Sequence, residues 1–101
     1  MNVRFLNIIK SSKPVIVDFY ADWCDPCREI LPILKEVKQE LKHVRIVKVN
    51  VDKNPFIASS YNVQKIPTVI VFKDGIRQYT KEGVCEADEL KSVIRRQLNG
   101  D

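Results

Sequence analysis

Apolar and polar positions alternate along the chain in a way that divides it into eight segments. Over residues 3–11, Phe5, Leu6, Ile8 and Ile9 fall at helical spacing, and Pro14 ends that run. Residues 15–21, VIVDFYA, are β-branched and almost wholly apolar, the pattern of a strand covered on both faces. From about Pro26 to Lys42, Ile30, Leu34, Val37 and Leu41 step by four, three and four, which is one face of a helix. Pro32 lies inside that helix and predicts a kink. Residues 44–51 predict a second strand. A short helix follows in NPFIASSYNV, with Pro55 in its first turn. PTVIVFK (67–73) and IRQYTKEG (76–83) are strands joined by Asp74-Gly75, a tight hairpin signal. Residues 87–98 close the chain as a helix with Leu90, Val93, Ile94 and Leu98 expected inward.

The predicted order is α-β-α-β-α-β-β-α. Strand–helix–strand units call for parallel pairing, while the Asp-Gly hairpin demands one antiparallel pair. The expectation is an α/β domain over residues 1–101, with a mixed four-stranded sheet and helices on both faces. At 101 residues the chain fits one domain. No apolar run approaches the roughly 18–20 residues of a membrane span, and the start has no apolar h-region of a leader.

Charge changes this picture little. The net charge is +4, from nine basic and six acidic groups in residues 1–50 and eight and seven in 51–101. No block of like charge is present, so the sequence reads as a mixed solvated surface without the basic patch of a nucleic-acid reader.

The cysteines change it more. There are three: Cys24, Cys27 and Cys85. An odd count does not make a disulfide scaffold, and a close pair with one left over fits a reducing compartment, the cytoplasm. Three chemistries compete for ADWCDPCR (21–28). Zinc needs four ligands, and only Cys85 and the single histidine, His43, are left to join the pair, at poor spacing. A static disulfide across three residues closes too small a loop to restrain the unfolded chain much. Thiol–disulfide exchange suits a cysteine placed after a strand and before a helix. There the dipole and free N–H groups favour a thiolate, the attacking species. Cys27 is one turn on, where it can resolve a mixed disulfide, and Pro26 fits the helix's first turn.

VDFYADWCDPCR (17–28), VKVNVDKNP (47–55) and VQKIPTVIVFKDG (63–75) resemble three consecutive blocks of the thioredoxin family, in order and near the usual spacing. The resemblance runs from about residue 13 to residue 98. It implies a thioredoxin fold and a protein-disulfide reductase in which Cys24 is the nucleophile and Cys27 the resolving thiol. It implies no bound cofactor, electrons drawn from NADPH through a thioredoxin reductase, and disulfide-bearing proteins as substrates. No nucleic acid and no membrane enter that scheme.

By the same resemblance Asp18, a carboxylate in an apolar strand, is a general acid/base toward Cys27 with a raised pKa. Lys48 of the next strand tunes it. Pro67 corresponds to the family's cis-proline, although only about 5% of X–Pro bonds are cis. Trp23, Asp25, Pro26, Lys65, Ile66, Pro67, Gly83 and Val84 then form the substrate-docking surface. Cys85 matches no catalytic position and reads as a small buried hydrophobe. A rival class is a thioredoxin-fold scaffold with incidental thiol chemistry, and a rival enzyme is a disulfide isomerase or oxidase.

Two departures stand out. Only about ten residues precede Lys13, where the family has a further strand, so four strands are expected rather than five. The strand at 44–51 becomes a sheet edge that could pair with a second copy, though a monomer is the first expectation. Asp25 and Lys65 stand where glycine is common in the family. The two are expected to face each other across the site, biasing partner choice. A negative charge beside Cys24 disfavours its thiolate and makes the protein a stronger reductant.

Overall fold

The computed structural model describes residues 3–99. The elements are α1 (Val3–Ile9), β1 (Val15–Tyr20), α2 (Asp25–Glu40), β2 (Arg45–Asn50), α3 (Pro55–Ser60), β3 (Thr68–Lys73), β4 (Ile76–Glu82) and α4 (Ala87–Leu98). Their order and type match the sequence expectation, with ends shifted by one or two residues. Among the described residues the strands form one sheet, in the order β2-β1-β3-β4. β1 pairs parallel with β2 and antiparallel with β3; β3 and β4 are antiparallel. Asp74 and Gly75, at φ 55° and 79°, make the turn between them, conformations a tight hairpin requires. Among the described residues no helix is long and apolar enough to cross a membrane.

β1 is central, and its sequence shows why. Neighbouring strands cover both edges and helices cover both faces, so Val15, Ile16, Val17 and Phe19 are all fully buried. Strand alternation divides them. Ile16 joins Ile30, Leu34 and Val37 of α2 and Leu90, Val93 and Ile94 of α4. Val15, Val17 and Phe19 join Phe5 and Ile9 of α1, Ile57 of α3 and Phe72 of β3. Asp18 falls between them in sequence and takes the face of Ile16, toward α2. Each fully buried aliphatic side chain is worth roughly 1.5–3 kcal/mol.

α2 runs through Pro32 as one element. Pro32 lies on its exposed side. Lys38 in the last turn donates from Nζ to the carbonyls of Lys42 and Val44, fixing the turn into β2. In α4, Leu98 does not face inward as expected but is 40% exposed at the helix end. The buried position that periodicity missed is Lys91. Its Nζ lies 2.6 Å from both Glu36 and Glu40 of α2, so the charge is paired where the helices meet.

Candidate active site

β1 ends at Tyr20 and the chain turns through residues 21–24, where the Cys24 N–H donates to the carbonyl of Ala21 at 3.2 Å. Cys24 is the N-cap of α2, in extended conformation, and Asp25 and Pro26 open the helix. Its Sγ accepts the backbone N–H of Cys27 at 3.2 Å. That is the place of a capping oxygen at an ordinary helix start, here taken by sulfur. Cys24 and Cys27 form a disulfide with Cα atoms 5.4 Å apart, and each is 4% exposed. On reduction, the same N–H and the positive end of the helix are available to a Cys24 thiolate.

Asp18 lies beneath this pair. It is 1% exposed, and neither carboxylate oxygen has a hydrogen-bond partner. Burial raises its pKa to about 6, and the charge of Lys48 pulls the other way. Lys48 is its register partner on β2, reached because the two parallel strands align there. A cavity of about 380 Å³ brings Asp18, Cys24, Cys27 and Lys48 together, with Arg28 and Leu31 of α2 on its wall.

The rim is built by four loops. Trp23 is 69% exposed, and its Nε1–H donates to Asp52 at 2.8 Å. Asp52 is held in turn by Asn50, whose Oδ1 accepts the N–H groups of Asp52 and Lys53. The Ile66–Pro67 peptide bond is cis. Ile66 packs against the cluster of Ala21, Cys24 and Cys27. Thr68 Oγ1 donates to the Lys65 carbonyl, and the Gly83 N–H donates to the Pro67 carbonyl at 2.8 Å. Gly83 has φ 88°, a conformation that favours glycine although space around it is open. Val84 follows, 39% exposed.

One expected pairing is replaced. Asp25 does not meet Lys65; its carboxylate pairs with Arg28 at 2.8 Å, one helical turn on. An i,i+3 contact on one helix needs no loop to close on it, which is why it wins. Arg28 and Asp52 are the site residues that sequence reasoning passed over. The i,i+3 spacing could have found Arg28. Asp52 is 29 residues from Trp23, and no local signal links them. Cys85 is free and buried at 2% exposure. Among the described residues no three His, Cys, Asp or Glu side chains gather to hold a metal ion, so Cys85 and His43 do not complete a zinc site.

The thioredoxin family model matches residues 2–96. A thioredoxin of Rickettsia bellii is 44% identical over 92 residues, 90% of this chain and 88% of that one. Thioredoxin 1 of Synechococcus elongatus is 42% identical over 90% of this chain and 86% of its own length. Oxidised mitochondrial thioredoxin 3 of Saccharomyces cerevisiae superposes with a TM-score of 0.84 at 35% identity, covering 93% of this chain and 88% of that one. The chain belongs to the thioredoxin family.

Thioredoxins are protein-disulfide reductases, and this one is a dithiol–disulfide oxidoreductase whose redox group is the Cys24–Cys27 pair. The family carries no bound cofactor. The scaffold reading is not favoured, because the CxxC pair is intact and seated at the helix start.

Proposed function

We propose that Cys24 attacks a disulfide of a protein substrate, and that Cys27 and Asp18 complete the exchange. The Cys24 thiolate forms a bond to one substrate sulfur and expels the other as a thiolate, which takes up a proton. Asp18 accepts the Cys27 proton, and the Cys27 sulfur attacks Cys24. The Cys24–Cys27 bond forms, the mixed disulfide breaks, and the second substrate thiol leaves. Two electrons pass to the substrate. A base with a pKa near 6 is ionised at neutral pH and still basic enough to take that proton.

The observation that carries this is the Cys24 sulfur at the N-cap of α2, with an unpartnered buried carboxylate in the cavity beside it. The exposed Trp23, the cis Ile66–Pro67 backbone and the Gly83–Val84 bend support a docking surface around the pair, where a substrate strand can run beside Ile66. Asp25, Pro26 and Lys65 border it. Electrons come from NADPH through a thioredoxin reductase. The work takes place in a reducing compartment, the cytoplasm; the unpaired, buried Cys85 is consistent with it.

Insulin-disulfide reduction driven by dithiothreitol tests the scheme. The wild type is expected to accelerate it, and Cys24→Ser to abolish the effect. Cys27→Ser is expected to lose turnover and to accumulate mixed disulfides with substrate. A silent wild type, or a Cys27→Ser variant that turns over normally, overturns the assignment.

A further inference from the structure

The positive charge that looks dispersed in sequence is gathered by the fold. A groove of about 770 Å³ runs between α2 and β2. Its floor is apolar: Leu31, Leu34 and Ile46. Its rim carries Lys35, Lys38, Lys42 and Lys48, and no acidic side chain lines it. Glu36 and Glu40, on the same helix, turn the other way to Lys91 and Arg95 of α4. Helical spacing explains the division on α2: 35 and 38 share one face, 36 and 40 another, and Lys42 follows in the turn after the helix. Among the described residues Lys35 and Lys42 therefore stand without an acidic partner at the edge of an apolar trough, while the Lys38 ammonium is held by the carbonyls of Lys42 and Val44 and Lys48 faces Asp18.

The groove has an open edge as well. β2 ends the sheet, with β1 on one side only. Arg45 and Val51 donate their N–H groups to Pro14 and Tyr20, on the β1 side. Strand alternation then turns the backbone groups of Ile46, Lys48 and Asn50 to the free side. The Asn50 carbonyl is taken by Asn54. Those of Ile46 and Lys48, the two β2 residues that line the groove, have no backbone partner among the described residues. An unpaired edge beside an apolar trough suits an added strand.

We propose that this groove is a docking site for an extended segment of a partner protein that carries both apolar and acidic residues on one face, at every second position. That face lays its apolar side chains on Leu31, Leu34 and Ile46 and its carboxylates on Lys35 and Lys42, while the backbone pairs with β2. Charge decides among the occupants. A second copy of this chain brings the same lysines and Arg45 to the edge, and like charges repel. A single-stranded nucleic acid needs aromatic platforms for its bases, and the groove has none. Leu31 and Lys48 also line the Asp18 cavity, so the groove is continuous with the redox site. The proposal does not rest on the thiol chemistry.

A fluorescein-labelled octapeptide with leucine and glutamate in turn at every second position and serine between them is the probe, read by anisotropy against the oxidised protein. Saturable binding that weakens with salt is expected, together with a loss of at least about tenfold in affinity in a Lys35→Glu/Lys42→Glu variant. Both lysines are exposed, Lys35 on α2 and Lys42 in the turn after it, outside the redox site. Unchanged insulin reduction by that variant shows that it is folded and separates failure here from failure of the redox reading. N-methylation of alternate peptide amides is expected to cost a similar factor. The proposal is overturned if the peptide does not bind or if the charge-reversed variant binds it equally. Equal or tighter binding of a single-stranded DNA oligomer, or a dimer in sedimentation dispersed by Lys35→Glu/Lys42→Glu, overturns it as well.

Discussion

Two charged side chains, Asp18 and Lys91, are buried among the described residues, and they are treated in opposite ways. Lys91, on α4, meets Glu36 and Glu40 at 2.6 Å each, and Arg95 adds a second bridge to Glu40 at 2.7 Å. Asp18, in the middle of β1, has no hydrogen-bond partner at either oxygen. A buried charge that is satisfied holds elements together. One left unsatisfied costs stability, and it persists where its proton is useful. The difference separates a structural end of the sheet face from a chemical one. The pKa directions agree. Hydrogen bonding by Lys91 lowers the pKa of Glu40, whereas burial raises that of Asp18 to about 6.

The largest test replaces Asp18. Its folded pKa of about 6 exceeds its ordinary 3.8, so between these values the folded state holds more protons than the unfolded one. Stability therefore falls as pH rises through that window, and above it the full cost is present. Asp18→Asn is expected to raise stability by up to about 3 kcal/mol at pH 8 and by little at pH 4. Urea denaturation of both proteins at the two values reads this directly. The same variant is expected to slow insulin reduction severalfold. An Asn variant that is less stable at pH 8 would break the contrast drawn above.

Lys91→Met should act with the opposite sign and less strongly. Methionine keeps most of the stem, so the loss is the charge, and the two glutamates are half exposed and can rehydrate. A fall in Tm of no more than about 5 °C is expected near neutral pH, fading toward acid as the glutamates protonate. Insulin reduction should be unchanged. A large loss of activity would show that the α2–α4 cluster also positions the cysteines.

Much of this contrast was legible in the residues. Asp18 was visible because a carboxylate flanked by Val17 and Phe19 has no apolar reason to be there. The eight elements were visible because β1 and β3 are covered on both faces and α2 and α4 on one, each with its own periodicity. Lys91 was not visible: periodicity scores a lysine as outward, and only the approach of Glu36 and Glu40, some fifty residues away, makes a buried site tolerable. Leu98 failed in reverse, since the pattern points it inward and the helix ends before anything covers it. The basic groove was hidden because Lys48 reaches the α2 lysines only through parallel pairing of β1 and β2. Trp23 was legible as an exposed aromatic, and its partner Asp52 was not, because the Asn50 turn sets that distance.

A finer test addresses how isolated Asp18 is. Among the described residues Lys48 is the charge that opposes it, acting across the shared cavity. Lys48→Met is expected to raise the Asp18 pKa above about 6, by about one unit or less, as a solvated lysine is partly screened. The carbon-13 shift of the Asp18 carboxyl group against pH measures it. The pH midpoint of insulin reduction should move upward with it. An unmoved midpoint would mean that burial alone sets the value.

The smallest effect lies at the mouth of the site, where the pairing rule of the Lys91 cluster meets the chemistry of Asp18. Asp25 stands beside Cys24, and its negative charge alone disfavours a thiolate there. Arg28 at 2.8 Å offsets much of that charge, and both side chains are exposed, so the net influence is small. Asp25→Gly removes the anion and leaves Arg28 unpaired near the cysteines. The Cys24 pKa in the reduced protein is then expected to fall, by less than about one unit. Arg28→Gln is expected to raise it by a similar amount, and the double variant to return it near the starting value. Thiolate absorbance against pH in the four proteins closes the cycle. A double variant displaced from the starting value would mean that the two charges do not simply offset each other at Cys24.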